Sequence, residues 1–187
     1  MVSVGVEEER ILARKKTVLR TIRIPEDLSM ELEEAAIAEG LSFNSLSSTI
    51  LQEYMTWTRK AKKFGFAFVS KSLLKIILES ANSTELDRLV RERYGGILKD
   101  MAMFWYSDAS LNSIIKVLEL LSLHNWHLDM GKRIDGRKVT LSFHHDLGPK
   151  FTIFLRAMLD STLKGEFHST PVYEEGDSSL TVHFSLP

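Results

Sequence analysis

Residues 17–24 place the strongest constraint on how this chain can fold, because they read as one β-strand with no second strand nearby. The segment is rich in β-branched residues and ends at Pro25, which has no N–H to donate to a strand ladder. Pro25 followed by Glu26 and Asp27 predicts a helix start, because acidic side chains stabilise the positive end of a helix. An apolar stripe follows, and Gly40 predicts the end of that helix.

A second short helix is predicted directly afterwards. Ser42 is a typical N-cap residue, and Leu46, Ile50 and Tyr54 then recur at the i, i+4, i+8 spacing of one helix face. One strand and two short helices bury too little apolar surface to fold alone, and a lone strand leaves its backbone groups unpaired. We therefore predict a homodimer or higher oligomer, in which two copies pair their strands antiparallel and four helices cover the apolar face.

The ordered motifs TIRIPEDL at residues 21–28 and EGLSFNSL at residues 39–46 resemble the ribbon-helix-helix DNA-binding family, the Arc, MetJ and CopG type. The resemblance covers residues 16–57. Members of that family read duplex DNA with a β-ribbon in the major groove. The resemblance implies base contacts by the outward strand side chains, Leu19, Thr21 and Arg23. It also implies phosphate contacts at the start of the second helix, at Ser42, Phe43 and Asn44.

The charge pattern supports a polyanion partner, although the formal net charge is only −1. Two stretches without any acidic residue, 10–24 and 54–78, contain all the lysines and arginines of residues 1–78. Such basic blocks are typical of a nucleic-acid-binding surface. We predict further phosphate contacts by Lys15, Lys16 and Arg20, the last extending outward from the inner face of the ribbon. For the second stretch, a solvated linker is an equal alternative.

The sequence GFAFV at residues 65–69 matches the middle of the RNA-recognition-motif signature, in which exposed aromatic side chains stack on bases. The signature requires a basic residue where Phe64 stands and an aromatic residue where Lys71 stands. We therefore favour the interpretation that Phe64, Phe66 and Phe68 anchor the linker on the next domain.

The second half of the chain alternates between strand and helix periodicities. We predict strands over 97–106, 126–134, 138–145, 167–173 and 180–186, and helices over 108–124 and 149–163. Asp135-Gly136 is a strong hairpin signal. The resulting β-α-β-β-α-β order with one extra final strand corresponds to the ferredoxin-like arrangement.

The sequence thus predicts an α+β protein with four parts. These are a basic, flexible tail over 1–15, a dimeric ribbon-helix-helix domain over 16–57, a basic linker and helical connector over 58–96, and a ferredoxin-like domain over 97–187. The last domain would serve oligomerisation or effector sensing.

All six histidines lie after residue 123, and this raises the question of a metal site. The candidate ligands are His127, His144, His145, His168 and His183. Imidazole binds Zn and Ni well, so a metal-responsive regulator is one alternative. However, the chain has no cysteine, and neighbouring His144 and His145 point to opposite faces of a strand. We therefore expect ordinary histidines and no cofactor.

The function expected from these features is sequence-specific transcriptional regulation, as a repressor. The expected partners are double-stranded DNA, a second copy of the chain and a small-molecule effector. A second alternative is an antitoxin-like protein that binds a partner protein. No phosphate loop, nucleophile elbow or catalytic triad is evident, so we expect no enzyme. The absence of cysteine, of a signal peptide and of any apolar run near 20 residues favours a cytoplasmic protein without membrane contact.

Overall fold

The chain forms a series of α-helices followed by a four-stranded antiparallel sheet, which makes it an α+β protein. The computed structural model describes residues 17–124 and 128–185. Contacts between residues divide the chain into two units, residues 1–50 and residues 51–187. The sequence predicts the end of the first domain later, at residue 57, and that boundary stays a prediction.

The first unit contains helix α1 (Glu26–Ala38) and the start of helix α2 (Phe43–Glu53). Helix α1 ends as predicted, because Gly40 adopts a φ of 67°, which glycine reaches without a steric penalty. The Gly40 N–H donates to the Ile37 carbonyl at 3.1 Å, and the Leu41 N–H donates to the Ala36 carbonyl at 2.8 Å. These two bonds form a Schellman motif, which satisfies carbonyls at the helix end and reverses the chain toward α2.

Residues 17–24 form no strand ladder within the single described chain. Their side chains are exposed, apart from the half-buried Ile24. A strand requires a neighbouring strand for its backbone hydrogen bonds. The strand predicted for this segment therefore stays a prediction about pairing between two copies.

The second unit begins with further helices. Helix α2 leads through a π-helical turn, Tyr54–Thr58, into helix α3 (Arg59–Phe64). The helices that follow are α4 (Lys71–Ser80), α5 (Ser83–Tyr94), α6 (Ile97–Tyr106) and α7 (Leu111–His124). Asn82 is the N-cap of α5, because its side chain accepts hydrogen bonds from the N–H groups of Thr84 and Glu85. Among the helices that the structure describes, none is both long and apolar enough to cross a bilayer.

Two β-hairpins joined by helix α8 (Pro149–Phe167) form the sheet. The strands are β1 (Leu128–Asp135), β2 (Lys138–His145), β3 (Val172–Gly176) and β4 (Ser179–Ser185). Their order in the sheet is β1-β2-β4-β3, and every neighbouring pair is antiparallel. The predicted first hairpin is confirmed, and Gly136 supplies the positive φ, 58°, that its two-residue loop requires.

The strand predicted over residues 97–106 is wrong, because this segment is helix α6. Its buried residues, Leu98, Met101, Ala102 and Trp105, recur at the i, i+3, i+4, i+7 spacing of a helix. A short apolar run is ambiguous between strand and helix when it is judged by hydrophobicity alone.

The predicted ferredoxin-like order begins with a strand before α7. Among residues 17–124 and 128–185 no strand precedes α7, so these residues do not form that order. The predicted strand over 167–173 is also shifted, because α8 continues to Phe167 and β3 begins only at Val172. The remaining C-terminal elements correspond closely to their predicted positions.

The core of the second unit lies between one face of the sheet and helices α7 and α8. Alternate residues of the two central strands face it, namely Val139, Leu141, Phe143, Leu180, Val182 and Phe184. The opposite face of these strands carries polar side chains, among them Thr140, Ser142, Thr181 and His183. The sheet is thus covered on one face and polar on the other, as is common for antiparallel sheets.

An aromatic cluster fixes the π-helical turn against helix α6. Trp57 is buried, and its ring centroid lies 5.3 Å from that of Phe66 and 5.8 Å from that of Trp105. The Trp105 indole N–H donates to the Thr56 carbonyl at 3.2 Å. The indole thereby satisfies a carbonyl within the irregular turn while it contributes apolar area to the core.

Two of the three phenylalanines of the RNA-motif-like segment anchor the linker, as the sequence predicts. Phe64 and Phe66 pack against the core, with ring centroids 5.8 Å apart. Phe68 does not join them, because 74% of its surface is exposed. The anchoring interpretation is thus confirmed for Phe64 and Phe66 and is wrong for Phe68.

Candidate nucleic-acid interface

The predicted base-contact residues lie in the exposed segment before helix α1. Leu19 is 91% exposed, and Thr21 and Arg23 are also exposed. The guanidinium of neighbouring Arg20 donates from Nη1 to the Leu19 carbonyl at 3.3 Å and is exposed as well. These side chains are accessible to a large partner, and their roles in DNA contact stay predictions.

The start of helix α2 presents backbone N–H groups that have no acceptor within the helix. The Ser42 Oγ accepts a hydrogen bond from the Ser45 N–H at 3.2 Å, which confirms the predicted cap. The N–H groups of Phe43 and Asn44 occupy the first turn, where a helix offers no internal acceptor. Such N–H groups, together with the helix dipole, favour a bound phosphate.

The first unit buries few of its apolar side chains. Among its described residues, 17–50, the buried ones are Ala36 and Leu46 alone. Large apolar side chains that are exposed there are Val18, Leu19, Ile22, Leu28, Met30, Ile37, Leu41 and Ile50. Monomeric proteins rarely expose so many neighbouring apolar groups without a partner.

The other predicted cationic contacts divide into two groups. Lys15 and Lys16 lie outside the described residues. In the second basic stretch, Lys60 Nζ donates to the Trp105 carbonyl at 3.1 Å, and Lys71 forms an ion pair with Asp146. These two lysines thus contact residues elsewhere in the second unit.

The structure does not bring the candidate metal ligands together. His127 lies outside the described residues, while His144 and His168 are exposed at separate places. Within the part of the chain that the structure describes, no three His, Asp or Glu side chains form a group that could hold a metal ion. His145 and His183 instead have hydroxyl partners.

His145 is a buried histidine in a defined tautomer. The Thr152 hydroxyl donates its only hydrogen to the Gly176 carbonyl at 3.0 Å, so it accepts from Nε2 of His145, also at 3.0 Å. The Nδ1 atom of His145 is buried without a hydrogen-bond partner. Burial lowers the pKa of His145 below its ordinary value, which favours the neutral form of the ring.

Sequence reasoning missed an ion-pair cluster between helices α5 and α8 that is centred on the buried Asp160. The carboxylate of Asp160, whose side chain is only 8% exposed, accepts from Arg91 at 2.6 Å and from Lys164 at 3.0 Å. Arg91 is also held by both carboxylate oxygens of Asp87. Burial raises the pKa of Asp160, but the two cationic partners outweigh it and hold the pKa below its usual value. The i, i+4 pairs are visible in the sequence, whereas the link between helices is not.

Comparison with models of known protein families finds no match, and comparison with curated proteins finds no relative. A functional assignment therefore depends on the geometry and chemistry of the chain itself. The features that bear on it are the exposed segment before α1, the capped start of helix α2 and the exposed apolar side chains of the first unit.

Proposed function

We propose that this protein is a homodimeric, sequence-specific DNA-binding regulator of the ribbon-helix-helix type that acts as a repressor. The observation that carries the proposal is the incomplete first unit. Residues 17–23 are exposed, and residues 17–24 form no strand ladder within one chain. They lead directly into two helices in which Ala36 and Leu46 are the buried residues before residue 51. A second copy of the same chain supplies everything that this unit lacks.

Dimerisation answers two separate physical needs. Antiparallel pairing of residues 17–24 gives each backbone N–H and C=O of the segment a partner in the other copy. Covering the ribbon with four helices removes apolar side chains such as Ile22 and Leu28 from water. Each fully buried side chain of this size contributes about 1.5–3 kcal/mol, so several from each copy outweigh the cost of association.

The paired ribbon then presents a suitable surface for duplex DNA. A two-stranded ribbon fits the major groove, where an arginine such as Arg23 can donate twice to guanine and Thr21 can donate or accept. The start of helix α2 holds a backbone phosphate on each side. The acid-free stretch over 10–24 adds phosphate contacts that strengthen binding to any duplex, and this part of the affinity falls with salt.

In this proposal the second unit controls oligomeric state, senses an effector, or does both. Its support is a core of its own that does not depend on the first unit, since its buried cluster runs from Trp57 to Phe184. A separately folded regulatory unit attached to a DNA-binding unit is a physically simple way to couple a signal to an operator.

The decisive experiment measures the specificity of the ribbon. Preferred sites are selected from random duplexes, and binding to a selected and a scrambled duplex is then compared by fluorescence anisotropy. Arg23→Ala should weaken binding to the selected site by about 1–3 kcal/mol and leave scrambled DNA nearly unchanged. Arg20→Ala should weaken both equally, because phosphate contacts carry no sequence information. Arg133→Ala, which removes an exposed arginine of strand β1, serves as the control for overall charge.

Two results would contradict the proposal. Equal loss on both duplexes for Arg23→Ala would show that this side chain contacts only phosphate. Sedimentation equilibrium that finds a monomer at micromolar concentration would remove the paired ribbon and, with it, the reading surface.

A further inference from the structure

A cleft of about 770 Å³ opens at one end of the sheet, in the second unit. It lies where strands β2 and β4 and the loop between α8 and β3 meet. Its volume is within the range of about 300–1,000 Å³ that is typical of small-molecule sites. The polar residues that line it include Lys138, Thr140, His168, Ser169, Thr170 and His183.

The lining of this cleft is free of acidic residues, although residues 79–187 as a whole are net acidic. One lysine, two imidazoles and several hydroxyl groups are the polar side chains that it presents. Apolar walls formed by Phe167, Val172 and Phe184 complete it. The combination of hydrogen-bond donors, a fixed positive charge and apolar walls suits an anionic group attached to an apolar body.

The ring of His183 is held in one orientation at the edge of the cleft. Its Nδ1 atom lies 3.0 Å from the Thr140 hydroxyl oxygen, and its Nε2 atom lies 3.3 Å from the Glu174 carboxylate. The register of β4 with β2 and β3 sets this arrangement, because His183 pairs with both Thr140 and Val172. One polar wall of the cleft is therefore positioned before any ligand binds.

His168 adds a local conformational strain at the same cleft. It ends helix α8 in the left-handed region, with φ 50° and ψ 28°, where helices α1 and α3 use the glycines Gly40 and Gly65. A side chain in this conformation is more strained than glycine is, and Ser107, which ends helix α6 at φ 55°, shares that strain. In the described part of the chain, the side chains of His168 and Lys138 have no hydrogen-bond or ion-pair partner.

We propose that this cleft binds a small molecule that carries a phosphate or carboxylate group on an apolar body. Lys138 and His168 bind the anionic group, while the hydroxyl of Thr170 donates to its oxygens. The apolar part of the ligand lies against the aromatic walls. This site belongs to the second unit alone, so the inference does not depend on DNA binding by the first.

The test is isothermal titration of the full chain, without DNA, using phenyl phosphate as the probe. Benzoate is compared with it to distinguish a carboxylate from a phosphate ligand, and inorganic phosphate is compared to test the anion without an apolar body. Benzyl alcohol is the uncharged control. We expect phenyl phosphate or benzoate to bind with a dissociation constant below about 1 mM, and benzyl alcohol not to bind. Lys138→Ala should weaken binding at least about tenfold.

His168→Gly separates a binding role from a structural one. It should weaken binding while the melting temperature stays equal or rises, because glycine relieves the backbone strain. The control variant is His144→Gln, which removes an exposed histidine of β2 outside the cleft and should bind as the wild type does. Failure of both phenyl phosphate and benzoate to bind at about 10 mM would overturn the proposal. Unchanged affinity in Lys138→Ala and His168→Gly would overturn it as well.

Discussion

Replacing Asp160 by asparagine tests whether the ion-pair cluster between helices α5 and α8 stabilises the second unit. The change removes two charge-assisted hydrogen bonds, from Arg91 at 2.6 Å and from Lys164 at 3.0 Å. Breaking a fully buried pair costs about 3–5 kcal/mol, because a charge is left without its partner. Here Arg91 keeps both bonds to Asp87 and Lys164 is 58% exposed, so neither cation is stranded.

We therefore expect Asp160→Asn to lower the free energy of unfolding by about 2–3 kcal/mol, below the full buried-pair range. For a chain of this size, that loss corresponds to a drop in melting temperature of about 5–10 °C. Thermal unfolding followed by circular dichroism at neutral pH measures it directly. The matched control is Glu119→Gln, which breaks a well-exposed pair with Lys132 and should cost less than about 1 kcal/mol.

The pH dependence provides an independent check on the same reasoning. Arg91 and Lys164 hold the pKa of Asp160 below its ordinary value of 3.8, so the carboxylate stabilises the fold at any pH above that value. The difference between wild type and Asp160→Asn should therefore persist down to pH 3.8 and disappear as the pH falls through the lowered pKa. If Asp160→Asn is no less stable than Glu119→Gln at neutral pH, the cluster does not contribute as argued.

Three further predictions concern packing, protonation and capping. Gly95→Ala should lower the free energy of unfolding by about 1–3 kcal/mol, because the added Cβ would lie 2.6 Å from the Arg91 carbonyl oxygen. Gly96→Ala is the control, because a Cβ at that position meets no atom within 4 Å. Lowering the pH from about 7.5 to about 5 should destabilise the wild type more than His145→Leu. Burial lowers the pKa of the His145 imidazole below 6.5, so the ring takes up a proton when the protein unfolds in this pH range. An equal dependence of stability on pH in the two proteins would contradict this. Ser42→Ala should destabilise the first unit by about 1 kcal/mol in urea titrations, since the α2 N-cap is lost, and an unchanged midpoint would argue against the cap.

Local signals in the sequence were sufficient to predict most of the helices and the first hairpin. Pro25, Gly40 and Ser42 each restrict the backbone through their own chemistry, so they mark helix boundaries without knowledge of the rest of the molecule. Asp135-Gly136 marks the hairpin turn for the same reason. The candidate DNA-contact positions were also available from the sequence, because they follow from alternation along one short segment.

The tertiary structure alone decided which apolar runs become helix or strand and which polar groups meet. The run over Ile97–Tyr106 supports either structure locally, and it is a helix because Leu98, Met101, Ala102 and Trp105 then all face the core. The Arg91–Asp160 pair and the cleft beside His168 join residues that are far apart in sequence. Their positions depend on how helices and strands pack and on strand register, and no single segment of the chain carries that information.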